Sequence, residues 1–384
     1  MDVETRSLNV RLKRLFYMLS EKGIRYTANF LFMAATYNSD FIRKILLVKL
    51  YPWCVFYPRY IEIEVTTRCN LRCIMCEHTY WDIKPRDLTL DQFGYIVDQF
   101  PRLKWIGVTG IGSSFLNRDF LDMLRYVKKK NVYVELFDSF NNLNEEIIDQ
   151  VVREGLIDRF IASVDAATKD TYERIRVGAD FDKVLNNVKT LVKAKRKYRT
   201  HFPEFSFHYI ISRLNFEEMP DFVRLIHQVT GGDNVGILFT KLLHTFEQVE
   251  DIILEELPEE IRSQTVSLAR QLGIRLMWTK DLRENRQPVI ECTEWTMPFI
   301  FADGSVIPCC AGNEANRREF QVRTRMGNIL SQDFESIWNG QKFRDLRDRV
   351  HRGETPEPCV DCPVYEVTGK SRAHQFANSE KNSG

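Results

Sequence analysis

Apolar positions along this chain follow two alternating rhythms. Short runs rich in β-branched and aromatic residues, at 61–65, 105–109, 132–136, 160–164, 204–211 and 234–239, read as strands. Between them, at 90–100, 119–129, 145–154, 181–198, 219–228 and 259–272, apolar residues recur every three or four positions and read as helices. Strand–helix units at intervals of roughly 25–45 residues predict a parallel sheet. The six units are too few for a complete eight-stranded barrel. The expected architecture is therefore α/β, a partial (β/α)6 barrel over residues 58–282. Chemistry in such sheets gathers at the carboxyl ends of the strands.

The flanks differ from this core. In residues 1–57, Leu12, Leu15, Phe16 and Leu19 fall at helical spacing, and Phe30–Met33 and Ile45–Leu50 suggest further short helices before Pro52 and Pro58. This segment carries nine Lys/Arg against four Asp/Glu, although the whole chain has a net charge of only +1. A basic helical N-terminal extension packed on the main domain is expected, with a membrane-surface platform or a partner-docking site as alternatives. Residues 283–369 form a small cysteine-rich region with turns at Asp303-Gly304 and Asn339-Gly340, and 370–384 is a polar tail. The near-neutral charge argues against a nucleic-acid partner. No apolar run reaches the ~18–20 residues of a membrane span. Five of the nine cysteines fall in the last quarter of the chain, which suits metal sites in a reducing compartment. The expectation is a cytoplasmic protein, with a peripheral membrane position as the variant.

Cys69, Cys73 and Cys76 follow the first predicted strand in a C-x3-C-x2-C run. Three thiolates on one loop can hold three irons of a [4Fe–4S] cube and leave the fourth iron open to a substrate or cofactor. A zinc site completed by His78 is the alternative. Disulfides are disfavoured by the odd cysteine count and the lack of a secretory signal.

With that loop after the first of six strand–helix units, residues 58–282 resemble the radical S-adenosylmethionine (SAM) superfamily. The resemblance implies that the open iron binds SAM, that the reduced cluster cleaves it, and that the resulting 5′-deoxyadenosyl radical takes a hydrogen atom from substrate. It also implies SAM contacts. Met75 stands where the family carries an aromatic near adenine. Gly110 and Gly112 lie in a turn like the family's glycine-rich amino-group site, with Ser113-Ser114 where Glu-Pro is usual. Ser163 matches the SAM-facing strand, and Asp165 and Arg176 are further candidates, each also readable as a helix cap or surface ion pair. Leu238 is either an adenine contact or plain core.

Cys292, the run Gly304–Cys310 and Cys359-x2-Cys362 resemble the SPASM/twitch extension of many such enzymes. That resemblance implies that Cys292, Cys309, Cys359 and Cys362 hold one auxiliary [4Fe–4S] cluster. A four-cysteine zinc site is the alternative. Cys310 stands beside this set as a candidate base or hydrogen-atom donor, or as an inert thiol. Cys54 reads as packing. His78, His208 and His244 are candidates for substrate contact. The implied activity is SAM-dependent hydrogen abstraction, completed as a two-electron oxidation through the auxiliary cluster. The expected substrate is a sugar, polyol or lipid-linked group, and the expected electron donor is flavodoxin or ferredoxin. A peptide-modifying maturase and a non-catalytic metal-binding scaffold are the competing functions.

Overall fold

In a computed structural model of the chain, the residues described are 2–3, 8–37, 42, 45–51, 53, 55–233, 235–242, 246–278, 287–311 and 317–366. Cys54, His244 and the tail 370–384 lie outside them. The longer strands are β1 (Tyr60–Ile63), β2 (Trp105–Val108), β3 (Tyr133–Asp138), β4 (Arg159–Ser163), β5 (Glu204–Ile211), β6 (Gly236–Lys241) and β7 (Arg275–Trp278). The longer helices are α1 (Leu8–Lys22), α2 (Ile24–Tyr37), α3 (Leu90–Asp98), α4 (Phe120–Lys129), α5 (Glu145–Arg153), α6 (Lys169–Ile175), α7 (Phe181–Lys197), α8 (Met219–Thr230) and α9 (Glu259–Leu272). The chain divides into two compact units, each built from separated stretches: Met1–Thr27, Val65–Asp87 and Val108–Lys280 in the first, and Ala28–Glu64, Leu88–Gly107 and Asp281–Gly384 in the second.

In the first unit the strand order is β7–β6–β5–β4–β3, all parallel, with Asp2–Val3 antiparallel on β7. Local chemistry marks the helix ends. Asn144 and Asp180 cap α5 and α7 by accepting from the Ile147 and Lys183 amides. Gly231 and Gly273 close α8 and α9 in left-handed conformations that glycine adopts without strain. Each strand buries half or more of its positions, and Leu136, Phe160, Phe207 and Ile237 lie in the core. The register sets Asp138 opposite Ala162, and Ser163 opposite His208. β7 is not predicted, because its four residues begin two positions after the closing glycine of α9 and offer little pattern to read.

Helix α1 buries Met18 but leaves other apolar residues outside. Leu12, Phe16 and Leu19 face outward, while Arg14 pairs with Glu204 and Tyr17 stacks on His201 at 3.4 Å. Lys22 reaches Asp158, 3.2 Å away, which also receives Lys128 at 2.5 Å and the Val134 amide at 2.8 Å. No described helix is long and apolar enough to cross a membrane.

In the second unit the strand order is β2–β1–β8–β9–β10, where β8 is Phe299–Ile300, β9 Ser305–Ile307 and β10 Gly327–Asn328. β1 and β8 are parallel; β8, β9 and β10 run antiparallel in turn. Gly304, at φ +82°, makes the turn between β8 and β9. Period-two alternation would send Glu64 to the solvent face with Glu62, yet Glu64 is 1% exposed. Its carboxylate is held by Arg318 at 2.8 Å and by the Ala302 amide at 3.3 Å.

Asp158 ties α1, α4 and the amino end of β4 together. Burial alone would raise its pKa, but Lys128 and Lys22 draw it below the usual carboxylate range. A lowered carboxyl pKa gives stability that is present above the unfolded value and lost as pH falls through the folded one. Asp158→Asn should therefore destabilise the protein by about 3 kcal/mol at pH 7, since it leaves lysines buried without a counter-charge. In urea unfolding the gap between variant and wild type should shrink as pH falls below the unfolded carboxyl range of about 4. An equal gap at low and neutral pH would contradict this reading.

Candidate functional site

The loop carrying Cys69, Cys73 and Cys76 is fixed from both sides within the first unit. Arg72–Cys73 pairs antiparallel with Arg176–Val177, placing Cys73 opposite Arg176, and the Ile74 amide donates to the Ile175 carbonyl at 3.0 Å. The Cys76 amide donates to the Cys73 carbonyl at 3.1 Å, and Thr79 Oγ1 donates to the same oxygen at 2.7 Å. On the other side, the Ser113 amide donates to the Arg68 carbonyl at 2.8 Å, and Asn117 Nδ2 to the Val65 carbonyl at 2.9 Å. Arg68 reaches Asp87 through Nε at 3.0 Å and also bonds the Leu116 carbonyl. The glycine turn and the cysteine loop are thus sewn to each other by backbone and side-chain hydrogen bonds.

That contact explains Gly112. A Cβ there would stand 2.1 Å from the Thr66 carbonyl oxygen and 3.0 Å from that of Arg68, both backbone atoms. Gly110 is exposed at φ +148°, a conformation that favours glycine. Ser113 accepts from Asn142 Nδ2 at 2.8 Å, and Asn142 also donates to Asn70 at 2.8 Å. The asparagine bridge between cysteine loop and glycine turn was not read from sequence, where lone asparagines in loops carry no signal. Met75 is buried, and Ser163 lies half-buried at the carboxyl end of β4.

Asp165 and Arg176 are not a surface pair. Asp165 is fully buried and Arg176 is 8% exposed. The guanidinium donates through Nε to Asp165 Oδ2 at 2.6 Å, and its Nη1 stands 4.0 Å from Cys73 Sγ. The other Asp165 oxygen accepts from the Ile210 amide at 2.7 Å. Asp165 is therefore committed to holding Arg176, and Arg176 to the sulfur. Burial alone would lower the Arg176 pKa, but Asp165 and Cys73 hold it above the ordinary value. Burial pushes the thiols of Cys69, Cys73 and Cys76 up, and their mutual proximity adds to the rise at Cys73 and Cys76. A metal binds the thiolate, so cationic neighbours and metal together offset this cost.

Asp138, at the end of β3, is a carboxylate that sequence reading missed. Burial pushes it up to about 7, against the Phe140 amide, which donates to it at 2.6 Å, and Arg176. His78 is engaged elsewhere: Nε2 lies 3.0 Å from the Thr67 carbonyl and Nδ1 3.4 Å from Arg72. His208 Nε2 lies 2.8 Å from Thr240 Oγ1. Leu238 is half-buried on β6.

In the second unit Cys292, Cys309, Cys359 and Cys362 line one small cavity with Val289, Tyr365 and their neighbours. All but the half-buried Cys359 are buried. Short turns present them: the Cys292 amide donates to the Val289 carbonyl at 2.9 Å, and the Cys362 amide to the Cys359 carbonyl at 3.2 Å. Asp361 between the last two adopts φ +60°. Burial pushes Cys292 well up and Cys359 up to about 12, with neighbouring thiols adding to both. Four thiols around one cavity fit a fully ligated iron–sulfur cluster. Among the described residues, no three His, Cys, Asp or Glu side chains converge closely enough to hold a single ion. Cys310 packs against Phe299, Phe301 and Ile307.

Comparisons with known proteins agree with this arrangement. Residues 63–226 match the radical SAM superfamily model, and residues 292–363 match SPASM, an iron–sulfur cluster-binding domain. A tungsten-containing aldehyde ferredoxin oxidoreductase cofactor-modifying protein from Pyrococcus furiosus is 28% identical over 80% of this chain and 88% of its own length. An AdoMet-dependent heme synthase from Methanosarcina barkeri is 24% identical over 83% of this chain and 93% of its own. Among solved structures, Streptococcus suis SuiB bound to S-adenosylmethionine superposes with a TM-score of 0.60 at 11% identity, covering 87% of this chain and 82% of that one. The same protein has also been solved with its precursor peptide SuiA. The cofactors that follow are a SAM-binding [4Fe–4S] cluster, SAM and auxiliary iron–sulfur ligation. Motif, fold and both domain matches place this chain in the radical SAM superfamily, with a C-terminal SPASM domain.

Proposed function

We propose that the protein is a radical SAM oxidoreductase that modifies an organic cofactor or its precursor. The observation that carries this reading is the coexistence of two thiol sets. One has three members, held against a buried guanidinium; the other has four members around one cavity. In this proposal Cys69, Cys73 and Cys76 hold the SAM-binding cluster, and Cys292, Cys309, Cys359 and Cys362 hold one auxiliary cluster. When bound, these groups supply one-electron reduction, hydrogen-atom abstraction and an acceptor for a second electron. The chain's own residues set the conditions. Arg176 places a fixed positive charge at Cys73, and Asp165 orients it. The turn at Gly110 and Gly112 brings bare backbone to the loop, with Ser113 fixed by Asn142, and Met75 and Ser163 complete the candidate SAM contacts. The packing of Cys310 against Phe299 and Phe301 supports an inert role for it. Flavodoxin or ferredoxin is the proposed electron donor.

The substrate class moves away from the sugar, polyol or lipid-linked group expected from the sequence. Two relatives that span most of the chain are named for modifying a cofactor and for making heme, and a third, which covers 73% of it, is a GTP 3′,8-cyclase. A peptide substrate has thinner support, since mycofactocin maturases match only 42% of the chain.

The test uses anaerobically reconstituted protein. Wild type should hold about eight irons and release 5′-deoxyadenosine from SAM under reduction. Alanine at Cys69, Cys73 and Cys76 should remove about half the iron and all SAM cleavage. Alanine at Cys359 and Cys362 should remove the other half while SAM cleavage persists. Tightly bound zinc with no cleavage would sink the proposal. With cofactor precursors as substrate, the product should be two mass units lighter; an unchanged mass would argue against oxidation.

Loss of the positive charge beside Cys73 makes adding an electron harder. Arg176→Gln should therefore shift the SAM-binding cluster's midpoint to a more negative potential in a redox titration, and Arg176→Lys should shift it less. No shift, or a positive one, would show that Arg176 does not act on the cluster.

A further inference from the structure

A second cleft lies in the first unit at the amino ends of β5, β6 and β7, the end opposite the cysteine loop. It encloses ≈ 650 Å³, within the roughly 300–1,000 Å³ of small-molecule sites. Along β5, from Glu204 at this cleft to Ile211 beside the Asp165 contact, the separation is about 23 Å at the usual strand rise.

Six cations line it: Lys13, Arg14, Lys195, Arg196, Arg199 and Arg275. Only two carboxylates, Glu204 and Asp233, share the lining, and each is taken, by Arg14 and by Arg196 at 2.8 Å. Lys13 and Arg199 are exposed and enter no ion pair among the described residues. Basic residues in the last turn of α7 are ordinarily explained by the helix dipole. That explanation does not reach Lys13, on α1, or Arg275, on β7. The floor is apolar, formed by the buried Val192, Phe202, Phe205 and Val235, and the stacked Tyr17–His201 pair lies at the cleft.

A cleft lined by six cations, with Lys13 and Arg199 in no ion pair among the described residues, over an apolar floor matches an anionic head on an apolar or planar body. We propose that this cleft binds a phosphate-bearing small molecule, which would tie α1 to α7 and β7. The site is independent of the radical chemistry, because none of its residues belongs to either thiol set.

The experiment is calorimetric titration of the cluster-loaded, SAM-saturated protein with inorganic pyrophosphate and with adenosine diphosphate. Saturable binding by wild type is expected. Lys13→Ala/Arg199→Asn should raise Kd at least tenfold, with iron content and 5′-deoxyadenosine formation unchanged. Asparagine is chosen because Arg199 has φ +50°, which asparagine tolerates. The single Lys13→Glu variant should fall between. Tighter binding of the nucleotide would mark an organic phosphate as the ligand, and equal binding the phosphate group itself. Absence of saturable binding, or an unchanged Kd in the double variant, would overturn the proposal.

Discussion

A sulfur placed out of water beside a buried, permanently charged guanidinium is the constraint on which the first unit's chemistry depends. Burial disfavours the thiolate at Cys73, and Arg176 at 4.0 Å favours it. Neither group would be stable there alone. Arg176 requires Asp165, whose remaining oxygen is anchored on the backbone of β5. The chain thus stores one negative site for sulfur in a shell that is otherwise neutralised, and only a cation or a cluster completes it. In the second unit, without an arginine, burial and neighbouring thiols push Cys292 and Cys359 up around one small cavity.

Position follows from backbone pairing reinforced by side-chain amides. The cysteine loop gains its geometry by pairing with Arg176–Val177 and by the Arg68 and Val65 carbonyls that receive bonds from the glycine turn. Gly112 is needed because two carbonyls occupy the space of its missing side chain. Asn142 links Ser113 of that turn to Asn70 within the cysteine loop.

Much of the fold was legible in the sequence because its strands and helices alternate with distinct periods. All six anticipated strands and the intervening helices form within a few residues of their expected ends. The features that escaped are those set by distant partners. β7 is too short to announce itself. Glu64 obeys strand alternation in sequence but is claimed by Arg318, hundreds of positions away in the chain. The outward Leu12, Phe16 and Leu19 of α1 could not be foreseen, because the face that docks buries Met18 and also carries ion pairs to Glu204 and Asp158. Arg176 was recognised as a candidate, yet its role toward Cys73 depends on an antiparallel pairing that no local pattern encodes. Asp138 and Asn142 gave no signal, because a single polar residue at a strand end or in a loop is ordinary until its neighbours are known.

The most direct measurement is electron paramagnetic resonance of the reduced protein lacking Cys359 and Cys362, recorded before and after addition of SAM. A [4Fe–4S] signal should persist in this variant and change its g values when SAM is added. A signal indifferent to SAM, or no cluster signal at all, would contradict that expectation.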